Sequence, residues 1–341
     1  MRLAEVHTQD AAVRALRSSI ARSSVSHAYL FAGPRNCGKT TTALAFASAL
    51  NCADPTTEGD ACGLCMSCLR IQAGNDADVQ SISPEKDQTT IDQMREMIRS
   101  LNYAPLSGKY RVFIIEQADT LNPSSENCIL KILEEPPPYA VLILLSSNPN
   151  SLLPTIRSRC RVVRFSRASS SQIEDILANI SSLSDEERRV IAACSQGLVG
   201  KAMSAASDPD FMEERHAILQ ALKAWAGGPP VMGLRTAETI RKLAEPRKND
   251  ADERTRIRRL TEMLDYVLTW YSDLLSLKIG GAQQVNVDYA DDLADEVGRY
   301  SAGRLRRAIR SIMDTRRYLE GNITPQLALE NLFFDLRPDS A

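Results

Sequence analysis

Two continuous apolar runs, RVFII at 111–115 and AVLILLSS at 140–147, lack the alternation of a strand with one wet face. They predict central strands covered on both sides. HAYLFAG (27–33) predicts a short buried strand entering a glycine turn, and DVQSIS (78–83) a further strand. Between these runs the apolar spacing changes to that of a helix. Ala12, Val13, Leu16 and Ile20 share one face of a helix over about 9–23, with Thr8 as its expected cap. TTTALAFASAL (40–50) predicts a second helix. Ile91, Met94, Ile98 and Leu101 mark another behind Thr90, and NPSSENCILKILEEPPP (122–138) one that its prolines end. Strand and helix in alternation imply a parallel sheet in an α/β domain.

Beyond RCRVVRFS, near Phe165, the strand signal fades. SSSQIEDILANI, LSDEERRVIAACS and GKAMSAASD predict three short helices, and a second boundary falls near Asp208 to Asp210. The remainder is helical, interrupted by GGPP (227–230) and the polar loop EPRKNDADE (245–253). The expected division is therefore 1–166, an α/β domain; 167–208, a small helical domain; and 209–341, a larger helical domain. A chain of 341 residues exceeds one ordinary core, in keeping with that division.

Composition narrows the function classes. Hydrophobic residues at 43% and charged residues at 25% are ordinary for a globular protein. A formal net charge of -2 supplies no global field for a polyanion, so any nucleic acid must meet a local patch or a partner's surface. MRLAEVHTQD lacks an apolar signal segment and AVLILL is far too short to span a bilayer, so a cytoplasmic protein is expected. Of the eight cysteines four crowd into 52–68, which suits a metal site in a reducing compartment better than a disulfide framework.

GPRNCGKT, Gly33 to Thr40, satisfies G-x-x-x-x-G-K-[ST] between a predicted strand and a predicted helix. Gly33 and Gly38 let backbone amides turn toward phosphates, Lys39 brings a cation, and Thr40 offers a hydroxyl to Mg²⁺ at the positive end of the helix. Pro34, Arg35, Asn36, Cys37 and Thr41 complete the expected ATP cradle. The alternative is a chance glycine turn. The cysteines are spaced Cys52-x9-Cys62-x2-Cys65-x2-Cys68. Thiolates two residues apart in a turn can face one centre, and a fourth from the end of the preceding helix closes a tetrahedron around Zn²⁺. An iron–sulfur cluster is the chemical rival, ranked second because its bacterial spacing differs and carries a following proline. Four thiolates leave no open coordination position, so the metal is expected to be structural.

HAYLFAGPRNCGKTTTALAFASALNC, the CxxCxxC insert, ILKILEEPPP and LLPTIRSRC, in this order, resemble the bacterial DNA polymerase III clamp loader, a branch of the AAA+ ATPases. The resemblance is close over about Val6 to Phe165 and loose beyond it, where NITPQLALENLFFDL is similar to the family's last helix. It implies an AAA+ P-loop domain with a zinc module, a small helical lid, and an all-helical collar. It also implies a hetero-pentameric ring with gamma/tau and delta subunits that opens the sliding clamp and closes it around primer-template DNA. Three departures set this chain apart from the family's ATP-hydrolysing subunits: no Arg-Pro-rich entry segment, the TIRSRC sequence, and an end soon after the third domain. The Ser-Arg-Cys arginine, which in the family reaches a neighbour's ATP site, maps onto Arg159, with Arg157 as its local competitor and a surface arginine in a salt bridge as the alternative reading.

In the family, four apolar residues lead into Asp-Glu-Ala-Asp. Ala118 and Asp119 fix the register, so Glu116 stands at the Asp position and Gln117 at the Glu position. Glu116 can still hold Mg²⁺ through water, although its extra methylene shifts the carboxylate. A neutral amide at Gln117 can orient the attacking water but cannot take its proton, an assistance ordinarily worth about 10²- to 10⁴-fold. Weak or absent turnover by this chain alone is the expectation. Ser147 and Asn148 fall in the family's first sensor region, and Lys201 near the second, where a surface lysine without a role is an equal alternative. The arginine clusters RTRIRRL (254–260) and GRLRRAIR (303–310) are expected to pack between subunits rather than bind nucleic acid. Two rivals remain: an autonomous gamma/tau-like ATPase, and a zinc-stabilised nucleic-acid-binding module with a vestigial phosphate loop.

Overall fold

The computed structural model describes the chain except residues 86–87, 181, 227, 230, 246–252, 282–283, 320, 322–323 and 340–341, and the side chains of 253 and 254. Residues 246–252 of the polar loop, half of GGPP and the first side chain of RTRIRRL thus lie outside the described residues. The chain divides into two compact units. One comprises Met1–Ile176 with Gly197–Lys201, the other Leu177–Gln196 with Ala202–Ala341.

The first unit is built on five parallel strands, β1 (Ala28–Ala32), β2 (Val79–Ile82), β3 (Arg111–Ile115), β4 (Ala140–Ser146) and β5 (Arg161–Arg164), in the order β2-β3-β4-β1-β5. As the continuous apolar runs require, every residue of β3 and β4 is buried. One face of the sheet packs under α1 (Asp10–Ala21), α2 (Lys39–Leu50) and α3 (Met66–Gln72), in a core holding Tyr29, Phe31, Phe46 and Ile114. The other packs under α4 (Ile91–Leu101), α5 (Pro123–Glu134) and α6 (Pro154–Arg159), around Leu30, Phe113, Leu142 and Leu144.

Local chemistry sets the helix ends. Thr90 caps α4 in a reciprocal box with Gln93, and Asn122 caps α5 ahead of Pro123. Thr8 does not cap α1: it lies at φ 72, and Gln9 takes the cap position without a side-chain bond to the helix. The Gln9 amide is drawn elsewhere, donating to the carbonyls of Cys37 (3.2 Å) and Ser166 (2.9 Å) while accepting from the Ser166 N–H. Met97, outside the expected stripe, is buried in α4, whereas Ile91 and Ile98 are only half-buried.

After α7 (Ser170–Leu177) the chain is helical: α8 (Asp185–Ser195), α9 (Val199–Ser207), α10 (Phe211–Ala226), α11 (Val231–Leu243), α12 (Glu253–Lys278), α13 (Ala290–Glu296), α14 (Ala302–Leu319) and α15 (Pro325–Asp335). The core of the second unit gathers Trp225, Trp270, Tyr271, Tyr300 and Phe333. Buried Arg215 donates to Asp288 through two bonds of 2.7 Å and to Asn286 at 2.8 Å. Among the described residues no helix is long and apolar enough to cross a membrane.

Glu296 makes this core sensitive to pH. It is buried, and its carboxylate accepts from the Trp270 indole at 3.4 Å. Burial raises its pKa from 4.5 to about 7, against the smaller opposing pull of that N–H. Because the folded value is the higher one, the stability tied to this group is fully present below about pH 4.5 and is lost as the pH rises through about 7. The loss is on the order of 3 kcal/mol. Denaturant midpoints of the full chain at pH 5 and pH 8 should therefore differ by less in Glu296→Gln than in the parent protein; an unchanged difference refutes the assignment.

Candidate functional site

The strand register brings the candidate residues to one edge of the sheet. Ala32 pairs with Ser146 on one side and Arg164 on the other, and Ile115 pairs with Leu144 and Ile82. Gly33, Glu116, Ser147 and Phe165 thus leave the sheet together at the carboxyl ends of the strands, where open parallel sheets bind ligands.

The phosphate loop is formed by close packing and positive φ. The Gly33 N–H donates to the Ser146 carbonyl at 3.1 Å, and a Cβ at Gly33 would lie 2.5 Å from the Phe165 carbonyl oxygen. Gly38 caps α2 at φ 95, a conformation that glycine adopts freely, and Asn36 lies at φ 61. The Lys39 ammonium is buried and donates to the carbonyls of Gly33 (2.7 Å) and Pro34 (2.5 Å). Burial lowers its pKa, with Cys37 and then Asp119 acting against that shift. Thr40 and Thr41 are exposed. The first turn of α9 also meets the loop: the Gly200 N–H donates to the Asn36 carbonyl at 2.8 Å, so Lys201 lies next to a residue that touches the loop.

At the end of β3, the Glu116 carboxylate accepts from the Ser83 hydroxyl at 2.9 Å. Gln117 turns at φ 46, and its side-chain oxygen accepts from the Arg35 guanidinium at 3.1 Å. Of the two altered positions only Gln117 touches the loop, and both are hydrogen-bonded to protein. Ser147 donates through its N–H and its hydroxyl to Asp119, both at 2.9 Å, and the neighbouring Asn148 is exposed. Burial alone would raise the Asp119 pKa, but its hydrogen bonds, led by the two from Ser147, together outweigh it and leave the carboxyl below its ordinary value. Asp119 served in the sequence only to set register; its grip on Ser147 depends on a contact across 28 residues, which spacing does not reveal.

Arg159 is the last residue of α6, which follows the loop after β4. Its guanidinium, about a third exposed, donates to the Thr155 carbonyl at 3.0 Å and to Glu134 at 2.8 Å. Arg157 instead donates to Asn150 at 2.9 Å.

The four cysteines converge. Their sulfurs lie within 4.8 Å of one another, with Cys52 and Cys65 3.9 Å apart and Cys62 and Cys68 4.0 Å apart. A tetrahedral Zn–S₄ centre with bonds near 2.3 Å has sulfur edges of about 3.8 Å, so the donor set fits. The N–H groups of Cys62, Leu64 and Cys65 point at Cys52 or Cys62 sulfurs at 3.2–3.4 Å, which favours thiolate. Cys68 lies not in a turn but buried in α3. No residue pattern singles out Asp60, whose buried carboxylate fastens the module to the chain start. It accepts from the N–H groups of Leu3, Ala4 and Ala61 at 2.8–2.9 Å and from Arg17 at 2.6 Å.

A parallel β2-β3-β4-β1-β5 sheet with a phosphate loop after β1, an acidic turn after β3 and an appended helical region defines an AAA+-type P-loop protein. The family model described as "DNA polymerase III, delta subunit" matches residues 8–169, and the one described as "DNA polymerase III, delta subunit, C terminal" matches 209–337. The DNA polymerase III subunit delta' of Bacillus subtilis is 26% identical over 331 residues, covering 96% of each chain. The gamma/tau subunit of Mycobacterium tuberculosis is 36% identical over 180 residues, 52% of this chain but only 31% of that relative's length. In fold, a DNA polymerase III gamma subunit-related protein from Thermotoga maritima matches with a TM-score of 0.51 at 18% identity, over 94% of this chain and 98% of that one. The chain belongs to the DNA polymerase III clamp-loader family and is a delta-prime-like subunit of it.

Proposed function

We propose that this chain acts in the cytoplasm as one member of a five-subunit ring with gamma/tau and delta subunits, working through that ring on the sliding clamp and primer-template DNA. In this reading 1–166 is the nucleotide-binding-type domain with its zinc module at 52–68, 167–208 the lid, and 209–341 the collar. One contrast carries the reading. Arg159 stands about a third exposed on two acceptors, while the chain's own pocket has Gln117 where a general base belongs. A guanidinium offered to the γ-phosphate in a neighbour's pocket makes hydrolysis depend on assembly.

Cys52, Cys62, Cys65 and Cys68 would hold one Zn²⁺, a structural ion that fixes the insert. Gly33 to Thr41 would cradle ATP and its Mg²⁺, with Ser147, Asn148 and Lys201 near the phosphates, but Gln117 cannot take the proton of the attacking water. Reconstitution with gamma/tau and delta subunits tests this reading: the chain alone should turn over ATP at background, and the complex should gain clamp-dependent turnover that requires it. Fast hydrolysis by the isolated chain would sink the proposal. Lys39→Ala in this chain should leave the turnover of the complex within about twofold of the parent, since the chemistry lies in the neighbour's pocket.

A further inference from the structure

We propose that Glu134 is the positioning residue for Arg159, holding the guanidinium in the orientation that the neighbouring subunit's site requires. This rests on the trans role of Arg159 given above. The two residues come from different elements, Glu134 from the last turn of α5 and Arg159 from the last turn of α6. The frame between those helices is fixed from within. Buried Glu126, two turns earlier on α5, accepts from the Leu153 N–H at the start of α6 at 3.0 Å, and Ile129, Leu133 and Ile156 share one core. Pro136, Pro137 and Pro138 follow Glu135 directly and prevent α5 from continuing, so Glu134 stays in its final turn.

A long arginine at the end of a six-residue helix would sweep many rotamers if left alone. Two acceptors in different directions remove that freedom: the Thr155 carbonyl takes one terminal nitrogen and the Glu134 carboxylate the other. Only two of the five guanidinium N–H donors are thereby engaged, which leaves donors for a phosphate. The pairing also separates the two candidate arginines, because the partner of Arg157 is the neutral Asn150.

The test uses the reconstituted complex, with kcat and KM for ATP measured for Glu134→Ala, Glu134→Gln, Arg159→Ala and the Glu134→Ala/Arg159→Ala double variant. Glu134→Ala should lower kcat by about 10- to 100-fold with KM unchanged, as expected for a misplaced catalytic group. Glu134→Gln, which keeps an acceptor oxygen, should recover most of the rate, and the double variant should be no slower than Arg159→Ala. Unchanged or faster turnover in Glu134→Ala, with Arg159→Ala inactive, overturns the positioning role and leaves the trans role standing. Full activity of Arg159→Ala would instead remove the trans role itself. A loss in Glu134→Ala that glutamine does not recover, together with a lower melting temperature, marks a structural contact and overturns the proposal as well.

Discussion

Arg159→Ala is expected to slow the hydrolytic step in the neighbouring pocket by about 10³-fold or more, the range in which a trans-acting arginine contributes. Such a loss corresponds to about 4 kcal/mol of transition-state stabilisation. The chain itself should fold and assemble normally. The Arg159–Glu134 pair is solvent-exposed, and pairs of that kind contribute about 0–1 kcal/mol to stability. Single-turnover ATP hydrolysis by the reconstituted complex measures the step, and size-exclusion chromatography checks that assembly is intact. Arg159→Lys should be nearly as slow, because an ammonium cannot reproduce the planar fork. Arg157→Ala is the internal control: its side chain is turned to Asn150, and its removal should have little effect. If Arg157→Ala were the slow variant and Arg159→Ala the fast one, the roles assigned to the two arginines would be reversed.

The fold was legible where residue pattern and environment coincide. RVFII and AVLILLSS announce β3 and β4 because a strand covered on both faces has no polar positions to spare. The phosphate loop was legible because its chemistry demands particular residues at fixed offsets. Contacts between residues far apart in the chain were not. The bond from Arg35 to Gln117 spans 82 residues, and the one from Leu3 to Asp60 spans 57. Each joins two residues that only the fold brings together. Thr8 failed as a cap for the same reason. The local rule favours a hydroxyl there, but the neighbouring Gln9 amide has partners at Cys37 and Ser166 that set the backbone instead.

Removing the metal should loosen the cysteine module around its Asp60 anchor while leaving the sheet in place. Between Cys52 and Cys68 the only apolar side chains fully withdrawn from solvent, among the described residues, are Ala61 and Cys68, too little to order seventeen residues alone. Structural zinc supplies about 10–16 kcal/mol in peptides that have no other fold. Here the demand is smaller, because Asp60 stays fastened to Leu3, Ala4 and Arg17, and α2 and α3 remain packed on the sheet. Cys65→Ser, or exhaustive chelation, should therefore destabilise the first unit by about 3–5 kcal/mol, or on the order of 10 °C in melting temperature. Hydrogen exchange should localise the loss to 52–68, with β3 and β4 still protected. The untreated protein should contain one zinc per chain by elemental analysis. Iron in its place would contradict the assignment, and a metal-free protein with an equally ordered module would show that Asp60 and its partners suffice to hold it.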